Sequence, residues 1–401
     1  MSIENFNQTI QEIQNSPSYR TPIGFGIARI DIGKTNGKTL CATFPVLNWG
    51  ENLKSFAVFL KASQKAIPLH NSESESIFAI NQEFITEALN LFSPYLAHAQ
   101  SDPTTHPNIQ VLLELQRAQR QEGLFVKGGK SKFRFCVIYQ DVPCQSVETA
   151  YMKLLALSLG KAPLRSLVLD GIFGLLENVA WSGNKPYELS YLREREIELK
   201  MRGEFPHIDF VDKFPRYLMQ VIPQYDNIRL LDTAKTRFGA YLGTGGYTQM
   251  PGASYVNFNS GAMGACMNEG RISSSVVVGE GTDIGGGASI LGVLSGGNSD
   301  PISIGKNCLL SVNSSTGISL GDGCIVDGGI AVLVGTIFVI TQEEAEKIQA
   351  INPDFEINQN GLYKGRELSK KNGIHFRQDS QSGKMVAFRS NREIKLNEAL
   401  H

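Results

Sequence analysis

The stretch CMNEGRISSSVVVGEGTDIGGGASI, residues 266 to 290, decides the fold, because its small and aliphatic residues recur at a fixed spacing. Stepping by six gives Leu242, Thr248, Ser254, Ser260, Cys266, Ile272, Val278, Ile284 and Ile290, all small or aliphatic. The phase is lost in LGVLSGGNSDPIS, returns at Ile304 and Leu310, and is lost again in SVNSSTGIS. It then resumes at Leu320, Val326, Val332 and Phe338. A period of six marks a parallel β-helix in which each hexad forms one flat side of a triangular coil of about 18 residues, its inward residue stacking on the coils above and below. Repeats of this spacing imply the left-handed form, an exception to the usual right-handed crossover. Glycine permits the tight corners. One coil cannot bury its own apolar row, so several must stack and the ends must be capped. Glycine-rich disorder is the competing explanation for residues 239–335, but disordered segments are also poor in Val, Ile and Leu, and this one is not. The pattern reads as one array interrupted by two loops.

Outside the array the chain reads differently. GFGIARIDI and KFRFCVIYQD are strand-like, whereas NQEFITEALNLFSPYL, PNIQVLLELQRAQRQE and SYLREREIELKMRG are helix-like. The segment 97–108, AHAQSDPTTHPN, reads as an exposed loop. TQEEAEKIQAI, 341–351, reads as a helix that terminates the array. The expected organisation is an α/β N-terminal domain over 1–225, a left-handed β-helix over 226–340, and a C-terminal helix with a short β tail over 341–401.

Composition narrows the function. A chain of 401 residues, 42% hydrophobic, can bury a large core. Its net charge of −1 and the absence of a dominant Lys/Arg run argue against a nucleic-acid partner. The N-terminus lacks the build of a signal peptide and no apolar run reaches the length of a membrane span, so a cytoplasmic protein acting on small molecules is expected. The six cysteines have no C-x-x-C spacing and read as buried thiols.

Within the array the charges that stand out are Glu269 and Arg271. No His lies between His207 and His375, which removes His-base acyl transfer and His-bound zinc from the array and leaves Glu269 as the obvious base. A non-catalytic solenoid scaffold would present a uniform array, without a lone Glu-x-Arg or a basic tail. That tail, residues 364–395, carries Lys364, Arg366, Lys370, Lys371, Arg377, Lys384, Arg389, Arg392 and Lys395, and suits either a phosphate-bearing ligand or a solvated hairpin. The glycines of GGGAS read as coil corners that let a ligand approach the backbone.

YVNFNSGAMGACMNEGRISSSVVVGEGTDIGGGASILGVLSGG, ISIGKNCLLSVNSSTGISLGDGCIVDGG and RELSKKNGIHFRQDSQSG together resemble the tetrahydrodipicolinate N-succinyltransferases, of their longer second type. The resemblance covers about 239–401, and the first 225 residues share only a general plan. It implies a homotrimer with active sites between subunits, succinyl-CoA as the acyl-donor substrate, tetrahydrodipicolinate as acceptor, and a step of lysine and diaminopimelate biosynthesis. It also implies that Glu269 is catalytic and that Arg271 lies in the acyl-CoA site. By the same resemblance Gly286, Ser289, Val312, Asp327, Gly328, Gly335, Lys364, Arg377, Gln378, Asp379 and Ser380 line the donor path. Arg271 could also grip a substrate carboxylate. Asn257 and Asn259 of VNFNSG are candidate substrate contacts, or else a polar ladder along the coils. Some relatives hold a cation on the trimer axis, but TAKTRFGAYL and MPGASYV offer no acidic pair, so no metal is expected. An amine attacking a thioester must lose a proton, which Glu269 could accept as a general base; alternatively its carboxylate could attack the thioester and form an acyl anhydride.

Overall fold

A computed structural model describes residues 1–118, 131–293 and 300–396. The chain divides into two compact units: Met1–Ala156 with Leu167–Pro215, and Leu157–Ser166 with the residues from Arg216 onward.

The first unit is built on an antiparallel sheet in the order Thr39–Thr43, Gly24–Ile32, Phe133–Ile138, Glu75–Ala79, Ile67–Asn71. Helices including Leu53–Ser63, Gln82–Leu91 and Pro107–Ala118 share one core with it, centred on Phe25, Phe56, Phe59, Phe84 and Phe135. The helical stretch from residue 81 resolves into Gln82–Leu91 and Ser93–Ser101, with Pro94 in the first turn of the second, where its missing N–H costs nothing. That second helix corrects the expected loop at 97–108: AHAQS holds helix, and the irregular chain begins at Asp102, the residue before Pro103. Residues 119–122 of the helix-like segment starting at Pro107 lie outside the described residues.

In the second unit the chain visits three parallel sheets in rotation, as in a parallel β-helix. On the first side Val256, Ile272, Ile290, Thr316 and Val332 stack in register; on the second, Ala262, Val278, Ile304 and Leu320; on the third, Asn268, Ile284, Leu310 and Val326. All of these side chains are buried. Each fully buried aliphatic contributes about 1.5–3 kcal/mol by leaving water, so the stack is the core of this unit.

The register differs from the six-residue reading in two places. The step from Asn268 to Ile272 takes four residues, so the corner that holds Glu269 and Arg271 is two residues shorter than the next one, from Ile284 to Ile290. The sequence hides this because Cys266 is also buried and lies six before Ile272. Nor is SVNSSTGIS a loop. Thr316 holds the inward place, its hydroxyl satisfied by donating to Ile318 O at 2.8 Å, and the phase shifts because Thr316 and Leu320 are only four apart. The first interruption is a real insertion between Ile290 and Ile304; its residues 294–299 lie outside the described residues.

The helix Gln342–Ile351 follows the array, capped by Thr341. Strand Ile374–Gln378 then returns to pair in parallel with Ile325–Val326, and Phe376 extends the inward row over Val326. Met385–Arg389 pairs antiparallel with that strand. All six cysteines are free, and all but Cys144 are buried. Among the described residues no helix is long and apolar enough to cross a membrane.

Candidate active site

One corner of the β-helix gathers most of the residues singled out in the sequence. Glu269 N donates to Ile284 O at 2.8 Å, and Glu269 O accepts from Gly287 N at 3.1 Å. One coil further on, Asn313 N donates to Gly286 O at 2.9 Å, and then Gly329 N to Val312 O at 3.0 Å. Glu269, Gly286, Val312 and Gly328 therefore lie along a single edge of successive coils. A Cβ at 286 would lie 3.4 Å from Glu269 Oε2, so the carboxylate stands directly against the Gly286 backbone. Val312 is 58% exposed on this edge, an apolar side chain left facing outward.

Glu269 is partly buried and Arg271 exposed, and among the described residues neither side chain forms an ion pair or hydrogen bond. Arg271 stands in register with Ser289, whose hydroxyl oxygen is buried and has no partner among the described residues. Asp283, outward on the next coil opposite Met267, is a diagonal neighbour of Glu269. Burial pushes the Asp283 carboxyl above the ordinary Asp range, and the negative charge of Glu269 adds to the shift.

Further along the edge, Asp327 Oδ1 lies 2.7 Å from His375 Nε2 and Oδ2 lies 2.5 Å from Arg377 Nε. Burial raises the Asp327 carboxyl, but the hydrogen bonds from Arg377 and His375 outweigh it and hold it below the usual range. Asp327, Gly328, Ile330, Arg377, Gln378, Asp379 and Ser380 line a cavity of about 460 Å³. Asp379 caps its own turn by accepting from the Ser382 hydroxyl and from Ser382 N, the latter at 3.0 Å, and these bonds hold its carboxyl low.

Four singled-out residues lie elsewhere. Gly335 lies two residues before the strand Ile337–Val339, and Lys364 pairs with it in register with Ile337. Asn257 and Asn259 lie at a different corner, between Val256 and Ala262, and their side chains are engaged there. Asn257 Oδ1 accepts from Phe258 N at 2.9 Å and from Arg237 Nη1 at 3.2 Å; Asn259, at φ 54°, accepts from Arg165 N at 2.8 Å. The sequence reading missed His375 as a member of the cluster, since it lies 48 residues from its Asp327 partner.

Comparison with known proteins covers the whole chain. The family described as tetrahydrodipicolinate N-succinyltransferase N-terminal matches residues 4–174, its middle region matches 176–216, and the hexapeptide repeat of succinyl-transferase matches 301–333. The N-terminal part thus carries a family signature that its sequence plan did not reveal. A 2,3,4,5-tetrahydropyridine-2,6-dicarboxylate N-succinyltransferase of Helicobacter pylori is 62% identical over 400 residues, covering 100% of both chains. A Campylobacter jejuni protein of the same description is 48% identical over 400 residues, and a Vibrio cholerae one is 40% identical over 265 residues, 66% of this chain and 73% of its own. A solved Campylobacter jejuni structure, described as a 2,3,4,5-tetrahydropyridine-2-carboxylate N-succinyltransferase, superposes with a TM-score of 0.89 at 47% identity over 98% of this chain and 99% of that one.

Proposed function

The chain belongs to the tetrahydrodipicolinate N-succinyltransferases, and from that premise we propose that it transfers the succinyl group of succinyl-CoA to tetrahydrodipicolinate in lysine and diaminopimelate biosynthesis. The observation that carries the reading is the corner beside Gly286, where Glu269 Oε2 lies next to the Gly286 backbone and, among the described residues, neither the Glu269 carboxylate nor the Arg271 guanidinium two residues on has a partner. Water adds across the ring C=N bond of the acceptor and supplies an N–H. The nitrogen attacks the thioester carbonyl, the C–S bond breaks and the amide bond forms. Glu269 takes the nitrogen's proton and hands it to the departing sulfur, which leaves as CoA thiol; the ring C–N bond at the hydrated carbon then breaks as its hydroxyl becomes the ketone and the hydroxyl proton passes to the amide nitrogen, giving N-succinyl-2-amino-6-oxopimelate. A carboxylate with no cation of its own is free to accept that proton. Arg271 grips a carboxylate of the succinyl group or the acceptor.

The remaining assignments belong to this proposal. The β-helix is left-handed, and its body over 226–340 serves the acyl transfer. The segment 341–401 contributes Lys364, Arg377, Gln378, Asp379 and Ser380 to the donor path, and 1–225 forms a separate α/β domain. Three copies assemble in the cytoplasm, so that the exposed edge of one subunit is completed by another. The test is CoA release from succinyl-CoA and from acetyl-CoA with tetrahydrodipicolinate as acceptor. Turnover that strongly favours the succinyl donor is expected; turnover with acetyl-CoA alone would reassign the donor, and none with either would return a scaffold role.

A further inference from the structure

The segment Ile374–Gln378 joins the array as an extra rung, with Ile325 opposite His375 and Val326 opposite Phe376. Phe376 points inward and is fully buried, so His375 and Arg377 leave the other face of the strand, two residues apart. Asp327, whose N–H donates to Phe376 O at 3.0 Å, places its carboxylate between them. An ionised carboxylate only accepts, so His375 Nε2 carries the proton of the 2.7 Å bond. Arg377 spends its Nε on the other oxygen, at 2.5 Å. Its two terminal nitrogens have no protein partner among the described residues. Phe388, opposite His375 on the neighbouring strand, lies beneath both groups, with the imidazole centroid 4.7 Å and the Arg377 Cζ 5.5 Å from its ring. The guanidinium is thus fixed at its edge by a carboxylate and supported on its face by an aromatic ring, and its free fork remains to meet an anion.

Exposure divides the roles. The His375 side chain is 12% exposed and that of Arg377 49% exposed. A ligand in the adjoining cavity can meet the arginine, while the histidine is turned to Asp327. We propose that His375 is a positioning residue for the acyl-CoA donor: it locks Asp327, which in turn aims the Arg377 fork at a phosphate of the CoA moiety. This rests on the donor reading given above.

Two substitutions separate the hydrogen bond from the packing. His375→Phe keeps a ring against Phe388 and removes the N–H, and is expected to raise the KM for succinyl-CoA about 10-fold with kcat and the acceptor KM within about twofold of wild type. His375→Gln keeps a donor and is expected to stay within about threefold of wild type. Asp327→Asn breaks the chain at its middle and should raise the donor KM as His375→Phe does, which keeps the test decisive if His375→Phe fails to fold. Calorimetric titration with CoA accompanies the kinetics. If wild type binds no CoA, the donor reading itself falls. If wild type binds CoA but the Phe and Gln variants behave alike, or the loss appears in kcat, or Asp327→Asn leaves the donor KM unchanged, the positioning role is overturned and His375 is packing only.

Discussion

Two corners of the same coil carry polar side chains and treat them in opposite ways. Between Val256 and Ala262, Asn257 and Asn259 are tied to Phe258, Arg237 and Arg165 by hydrogen bonds of 2.8 to 3.2 Å. Between Asn268 and Ile272 the chain takes the shorter path, and among the described residues Glu269 and Arg271 are left without partners, with the Glu269 carboxylate against the Gly286 backbone. Polar groups that fold a corner are satisfied within the chain; polar groups held for a ligand are not. The first corner should therefore fail in stability when altered, and the second in activity.

Glu269 apart, the largest effect that sharpens this contrast is expected from Arg271→Ala. Losing a charge-assisted contact to a substrate carboxylate should lower kcat/KM about 10–100-fold, with the thermal midpoint unchanged because the guanidinium supports nothing in the fold. Steady-state kinetics alongside calorimetry measure both; a destabilised but fully active variant would erase the distinction between the corners. Asn259→Ala should do the reverse. It loses one hydrogen bond and forces alanine into the left-handed region at φ 54°, costing about 2 kcal/mol and about 4–8 °C in Tm while kcat stays near wild type.

The smallest effect concerns Asp283, whose carboxyl holds its proton more tightly in the folded state than in the unfolded one. Ionising it therefore costs stability at pH above its raised folded pKa. The penalty fades as pH falls through that value and is gone below the unfolded value near 3.8. Asp283→Asn should raise Tm by about 1–2 °C at neutral pH and by nothing in acid, as thermal scans across the pH range would report. A gain that persists in acid would mean that electrostatics beside Glu269 is not its cause.

How far the sequence could be read follows from the same physics. The array was legible because each inward position must be small or aliphatic, and Ile272, Val278, Ile284 and Ile290 keep that spacing. Its register was not, because Cys266 and Ser260 are also buried and imitate an unbroken phase across a shortened corner. Thr316 was overlooked because hydroxyl chemistry disguises an inward residue whose partner, Ile318 O, is local. Glu269, Gly286, Val312 and Gly328 were legible as site residues through the motif resemblance, and their place on one edge follows from the observed register. The Asp327, His375 and Arg377 cluster depends on a strand that returns from beyond a helix, and no periodicity signals such a return.

The most direct test of the central claim is the rate of CoA release from succinyl-CoA with tetrahydrodipicolinate, wild type against Glu269→Gln, at matched folding and assembly. The substitution keeps the size of the side chain and removes its capacity to take a proton, so kcat should fall about 10³-fold with Tm within about 1 °C of wild type. A Glu269→Gln enzyme retaining activity within about tenfold of wild type would contradict the account and move the proton acceptor away from this corner.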